Sequence, residues 1–140
     1  MMLSRRDTLA LGLGAAALMT VPQGAFAAGD ATAAIAEFTG GAEAGSGDLT
    51  LTAPEIAENG NTVPIEVNAP GAVAIAVYAA GNPEPAVAQF KFGKLAGSHA
   101  ASTRIRLAGT QNVIAVAQMA DGSFIQASQE VKVTIGGCGG

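Results

Sequence analysis

The spacing of apolar residues along this chain changes period once, between residues 40 and 48. Before the change, Ala31, Ala34, Ile35 and Phe38 fall at i, i+3, i+4 and i+7, which predicts a short helix with one apolar face. Asp30 is its expected cap and Gly40-Gly41 its end. Gly45-Ser46-Gly47 reads as a flexible link. After it the period is two. Residues 48–52 are β-prone and Pro54 interrupts them; Glu58-Asn59-Gly60-Asn61 is a turn. Val63, Ile65 and Val67 then alternate with Pro64 and Glu66, and the proline assigns this strand to a sheet edge.

Residues 72–80 are continuously small and apolar, the pattern of a central strand, and the prolines of 81–85 make the next loop rigid. Ala88, Phe90 and Phe92 share one face of a strand over 87–92. Over 102–107, Ile105 and Leu107 point inward while Arg104 and Arg106 point outward. Strands over 113–119 and 124–135 flank Asp121-Gly122, a two-residue hairpin signal, and Val131, Val133 and Ile135 lie opposite Lys132 and Thr134. About seven short strands with frequent turns on roughly 100 residues predict a mainly β fold, an immunoglobulin-like antiparallel β-sandwich with a short N-terminal helix. The cysteine pair and tryptophan of antibody domains are absent.

The N-terminus stands apart from this pattern. Ser4-Arg5-Arg6-Asp7-Thr8-Leu9 is close to a twin-arginine motif, with Thr8 where a bulky apolar residue is usual. The apolar run over 9–21 is shorter than the ~20 residues a membrane span needs. Pro22 breaks it, and Ala25-Phe26-Ala27 supplies a small-x-small cleavage site. Residues 1–27 are therefore expected to be a signal peptide, directing residues 28–140 to the periplasm as one domain.

Composition narrows the function. Without the leader, five Lys/Arg face ten Asp/Glu, and neither a basic cluster nor a tryptophan is present, so nothing favours nucleic acid or an anionic membrane as partner. His99 is the single histidine, expected in a solvated loop, and no metal site follows at ordinary ligand spacing. Glu55 and Glu58 read as an exposed acidic face. Nucleophilic-serine and dinucleotide motifs are missing, and the expectation is a protein without enzymatic activity or cofactor.

The chemistry gathers at the C-terminus, where Gly136-Gly137-Cys138-Gly139-Gly140 holds the one cysteine. Glycine samples φ > 0 about as readily as φ < 0, so the four glycines predict a flexible arm over 136–140. Cys138 would reach on the order of 10 Å past Ile135, and the whole tail about 17 Å, at roughly 3.3–3.6 Å per extended residue. A single cysteine in an exported chain pairs with another chain, carries a ligand, or stays free and reactive. An ordinary thiol titrates near ~8.5, and no cation or helix N-terminus stands beside this one to lower it. Activation must come from elsewhere.

The twin-arginine leader, the stretch Thr52-Ala53-Pro54-Glu55-Ile56-Ala57-Glu58-Asn59-Gly60 and the terminal Gly-Gly-Cys-Gly-Gly together resemble the SoxY family, sulfur carriers of periplasmic thiosulfate oxidation. The resemblance covers essentially the whole mature chain. It implies a heterodimer with the small β-sandwich protein SoxZ. It implies that Cys138 is the covalent attachment site, loaded with thiosulfate by the haem cytochrome SoxAX to give a cysteine S-thiosulfonate. A SoxB-type hydrolase would then release sulfate, and a SoxCD-type dehydrogenase, where present, would oxidise the remaining sulfane sulfur. Gly136, Gly137, Gly139 and Gly140 would give the arm its freedom and clearance.

Other readings of the same residues remain. Gly139-Gly140 also fits a carrier whose terminal carboxylate is adenylated and thiolated, although export removes it from ATP. Cys138 also fits an intermolecular disulfide in a structural or adhesion-type sandwich. A prenyl anchor would need the cysteine fourth from the end, and it is third.

Overall fold

The structure is a computed structural model and describes residues 31–136. The leader with Arg5 and Arg6, and the Asp30 cap, lie outside the described residues. Helix α1 (Ala31–Thr39) precedes eight strands: β1 (Thr50–Thr52), β2 (Ile56–Ala57), β3 (Val63–Asn68), β4 (Ala72–Ala79), β5 (Ala86–Lys91), β6 (Ala100–Ile105), β7 (Gln111–Met119) and β8 (Phe124–Val133). They form two sheets, β1-β3-β6 and β2-β8-β7-β4-β5. All neighbours are antiparallel except β2, which lies parallel to the end of β8 through Ile56↔Lys132 and Ala57↔Val133.

Alternation with period two places one side chain in each pair between the sheets. Val63, Ile65 and Val67 of β3 meet Ile75 and Val77 of β4, Val113 and Ala115 of β7, and Val131 of β8 there, all buried. Burial of each Val, Leu or Ile side chain stabilises the fold by about 1.5–3 kcal/mol. The opposite face of β4 and β7 carries Ala76, Tyr78 and Val116, and α1 covers it with Ala34, Ile35 and Phe38. That is the face the helical period predicts. Phe38 meets Phe124 edge-on, with ring centroids 5.8 Å apart. The helix ends at Gly40, φ 65°, and Gly41 donates back to the Ala36 carbonyl at 3.0 Å.

Four local expectations change. The β3 strand is the middle strand of its sheet, paired to β1 and β6. Its proline survives because β1 ends at Thr52, opposite Glu66, so at Pro64 only β6 lies alongside. The strand is an edge over the half that contains proline. The turn between β7 and β8 has three residues, 120–122, rather than two: the Met119 N–H donates to the Ser123 carbonyl and closes it, the Gly122 N–H donates to the Met119 carbonyl, and Gly122 sits at φ 87°. His99 is half-buried, its Nδ1 donating to the Ala72 carbonyl at 2.6 Å and its ring 5.5 Å from that of Phe92. Ile135 continues the inward face of β8 but is 67% exposed, because the core ends at Val133.

Tyr78 lies under α1, and its phenol is pushed above its usual 10.0 by burial and then by the Glu37 carboxylate. The folded state therefore holds this proton more tightly than the unfolded chain. Stability from that source is complete below the ordinary tyrosine range and declines as pH rises through about 10. Denaturant unfolding of the native chain should show a steeper alkaline loss of stability than Tyr78→Phe. Parallel pH profiles for the two proteins would contradict this placement of Tyr78.

Candidate functional site

Three segments converge where the chain leaves β8. The first is the strap over 55–60, containing β2, which runs alongside the end of β8. Lys132 donates to the Glu55 carbonyl at 2.9 Å and Thr134 to the Ala57 carbonyl at 3.1 Å. The Thr134 hydroxyl adds a 2.9 Å bond to the Glu58 carbonyl, and Gly60 donates to the Ile135 carbonyl at 2.7 Å. Upstream, the Gln129 amide donates to the Ala53 carbonyl at 2.6 Å. The Asn59-Gly60-Asn61 turn is closed by the Asn59 side chain, which accepts from the Asn61 N–H at 3.0 Å. Pro54 and this turn delimit the strap, so it has room for only two residues of true strand.

The second segment is the β6–β7 loop over 106–110. Leu107 donates to the Gly60 carbonyl at 2.7 Å, which ties loop to strap. The Thr110 hydroxyl accepts from the Val133 N–H at 3.0 Å. Gly136 lies so close to this loop that a Cβ there would collide with the carbonyl oxygen of Ala108. Sequence alone groups Gly136 with the flexible tail, yet it has a separate reason to be glycine. It is seated against backbone.

The third segment, the β4–β5 loop, sends Asn82 beneath the other two. Asn82 is 2% exposed and Gln111, at the start of β7, is 8% exposed. The Gln111 amide donates to Asn82 Oδ1 and to the Gly109 carbonyl, both at 2.9 Å. Asn82 Oδ1 also accepts from Ala108 N–H at 2.9 Å, and its Nδ2 donates to the Arg106 carbonyl at 2.7 Å. Gly81 N–H completes the set by donating to Gln111 Oε1 at 2.8 Å. Two buried amides thus hold three backbone groups of the loop on which Gly136 rests. A groove of about 360 Å³ opens beside them, lined by Asn61, Asn82, Glu84, Arg104 and Arg106 among others.

Of the tail predicted from sequence, Gly136 is placed here at the mouth of the strap and loop. Gly137, Cys138, Gly139 and Gly140 lie outside the described residues. Sequence reasoning did not single out Asn82, Gln111, Thr110 or Thr134. An asparagine between glycine and proline reads as a turn residue, and its burial depends on strands far away in sequence. A larger groove, about 610 Å³, lies on the outer face of the three-stranded sheet, with Glu66 and Arg104 as its charged residues. Among the described residues no three His, Cys, Asp or Glu side chains gather as a metal site, and no helix is long and apolar enough to cross a membrane.

Fold and site together define a small two-sheet sandwich whose C-terminal exit is held by a strap and a loop. The chain belongs to the SoxY family: the family described as sulfur oxidation protein SoxY matches residues 35–138, a span that includes Cys138. Among solved structures the chain is similar to the sulfur carrier protein SoxY from Chlorobium limicola f thiosulfatophilum. The two share 38% identity over 74% of this chain and 96% of that one, with a TM-score of 0.62. More distant is superoxide reductase (neelaredoxin) from Ignicoccus hospitalis, 16% identical over 63% of this chain and 81% of that one, TM-score 0.54. A likeness of the same kind extends to a putative superoxide reductase from Thermotoga maritima, 19% identical over 69% and 89% of the two chains, TM-score 0.51. These two share the fold alone. No curated protein matches the chain.

Gly136→Ala tests the seating directly. The added methyl must push the chain away from the Ala108 carbonyl, since overpacking against backbone cannot be relieved by a rotamer change. Amide exchange at Gly60, whose N–H bonds Ile135, should accelerate by about tenfold, a loss of about 1.4 kcal/mol of local stability. Unchanged protection at Gly60 would show that residue 136 tolerates a side chain.

Proposed function

We propose that this chain is the covalent carrier of sulfur intermediates in thiosulfate oxidation, with Cys138 as the attachment site. The family match through Cys138, together with 38% identity to a sulfur carrier protein, supports this reading. In the loading step the Cys138 thiolate and the sulfane sulfur of thiosulfate form an S–S bond. Two electrons leave to an oxidising partner, here a SoxAX-type haem cytochrome, giving Cys–S–S–SO3⁻. Water then attacks the sulfonate sulfur at a SoxB-type hydrolase, releasing sulfate and two protons and leaving the persulfide Cys–S–S⁻. Where a SoxCD-type dehydrogenase is present, it takes six electrons from that sulfane sulfur while water supplies three oxygens and six protons leave, giving Cys–S–SO3⁻, and a final hydrolysis releases sulfate and frees the thiol.

Division of labour follows from the chemistry of the tail. The body supplies recognition, including the expected pairing with SoxZ, and the enzymes supply oxidant and water. A thiol without an activating neighbour resists stray oxidation, because susceptibility follows thiolate character. Glycines 137, 139 and 140 leave the sulfur unobstructed inside a partner's cleft. Cys138 itself is a substrate-bearing group, so the chain carries no catalytic residue, metal or cofactor of its own in this scheme. The leader, with Arg5 and Arg6, places the cycle in the periplasm.

Intact mass spectrometry of protein from thiosulfate-grown cells should find thiosulfonate or persulfide adducts on Cys138. Cys138→Ser should carry none, while its unfolding midpoint and its partner binding stay unchanged. Adducts persisting in the serine variant, mass added at the Gly140 carboxylate, or a disulfide-linked homodimer without adducts would each overturn the proposal.

A further inference from the structure

A tethered thiol is only as well aimed as the point from which it swings. Here that point is unusually defined. Thr134 is bonded twice to the strap, Ile135 once, Val133 once to the Thr110 hydroxyl, and Gly136 is wedged against the Ala108 carbonyl. None of these contacts lies in the sandwich core, which ends at Val133. Ile135 is 67% exposed, so hydrophobic burial does not hold this segment down. Hydrogen bonds and backbone contact do.

We infer that the strap over 55–60 and the loop over 106–110 form a collar that sets the pivot of the arm at Gly136, and that Thr110, Thr134, Asn82 and Gln111 are positioning residues for sulfur transfer. The inference rests on the carrier reading and deepens it. Gly136 is then the seat. Cys138 lies two positions beyond the seat. If the collar opened back to Val133, the tether to Cys138 would lengthen from two residues to five.

That change is large in the quantity that matters. Once the body has docked on an enzyme, the thiol finds the active site by an intramolecular search, and its effective concentration falls roughly as the −3/2 power of tether length. Going from two residues to five therefore lowers it about fourfold. Docking involves the body and is unaffected. The thiol's reaction with a small diffusing reagent does not involve the search at all.

The buried amides explain how the collar keeps its shape. The loop's Arg106 carbonyl, Ala108 N–H and Gly109 carbonyl all terminate on Asn82 or Gln111. With those bonds in place the Ala108 carbonyl has one position, and Gly136 is seated against it. Removal of either amide leaves buried groups without partners, so Asn82 and Gln111 variants also lower global stability. The exposed threonines avoid that complication. Valine at 110 and 134 keeps the β-branched shape and deletes only the hydroxyls that bond Val133 and Glu58.

The full-length double variant Thr110→Val/Thr134→Val is compared with the native chain and with Thr110→Ser/Thr134→Ser, which restores both hydroxyls. A nitroxide on Cys138, the one cysteine, reports the arm without any enzyme. Its electron paramagnetic resonance spectrum should show wider-amplitude motion in the valine protein and native motion in the serine protein. Loading by the thiosulfate-coupling oxidase should lose about fourfold in kcat with unchanged KM in the valine protein and recover with serine. Alkylation of Cys138 by iodoacetamide should proceed at one rate in all three. Identical nitroxide spectra in native and valine proteins would overturn the inference, as would an unchanged kcat, or loading and alkylation slowed by the same factor. Failure of the native chain to load at all would defeat the carrier reading instead, while the nitroxide comparison would still decide whether the collar exists.

Discussion

An amide side chain withdrawn from water must satisfy its donors and acceptors inside the protein, and Asn82 and Gln111 do so with each other and with the backbone of the β4–β5 and β6–β7 loops. No buried side-chain polar atom among the described residues lacks a partner. The constraint acts outward. Because each amide is bonded on both sides, the loop over 106–110 has little freedom to shift, and the loop supports both Gly60 and Gly136. A hydrophobic pair of similar volume would fill the same space, but it would leave three loop backbone groups to find water on their own. The placement of the chain's exit therefore depends on polar groups buried at the rim of an apolar core.

The strap gives a physical meaning to the Pro-Glu-Ile-Ala-Glu-Asn-Gly stretch. Its proline, acidic residues and turn signal look like a poorly structured connection. In the fold its backbone is spent on the end of β8 and the two residues after it, with Glu55, Ala57 and Glu58 offering carbonyls and Gly60 an N–H. Only Ala57 enters the core, whereas Ile56 is 60% exposed. Glu55 and Glu58 keep their carboxylates in solvent while their main chain does the binding. A segment whose side chains face water can still be structurally demanding when its backbone is what the neighbouring strand needs.

Much of the fold was legible because period-two alternation reports burial directly. Val63, Ile65, Val67 and Val131 point where that pattern puts them, and the helical period over 31–38 predicts the face that α1 presents to Tyr78 and Val116. Neighbour relations are a different matter. Pro64 reads as an edge signal, and nothing local says that β1 stops just short of it. The parallel β2–β8 pair joins residues about 75 positions apart, too far for any local pattern to carry. The Gly-Gly-Cys-Gly-Gly composition of the tail was legible because glycine and cysteine are themselves the signal. The collar was not, because ordinary threonine, asparagine and glutamine acquire their roles only when distant loops meet.

Reach and aim oppose each other in any tethered carrier. Each extended residue adds roughly 3.3–3.6 Å of reach, while effective concentration falls with the −3/2 power of length. A long free arm enters deep clefts and searches them slowly; a short one searches quickly and enters only shallow ones. Anchoring the root at the rim of the sandwich, beyond the last core residue, changes the terms of that opposition. Residues 134–136 add distance from the body without adding freedom, because hydrogen bonds to the strap and loop remove the conformations that would dilute the thiol. Glycine's high entropy is a disadvantage in a rigid element and an advantage beyond a fixed point, where a carrier's sulfur has to face differently oriented active sites. The position of that fixed point, set by polar contacts rather than by the core, is what lets a single small sandwich serve both demands.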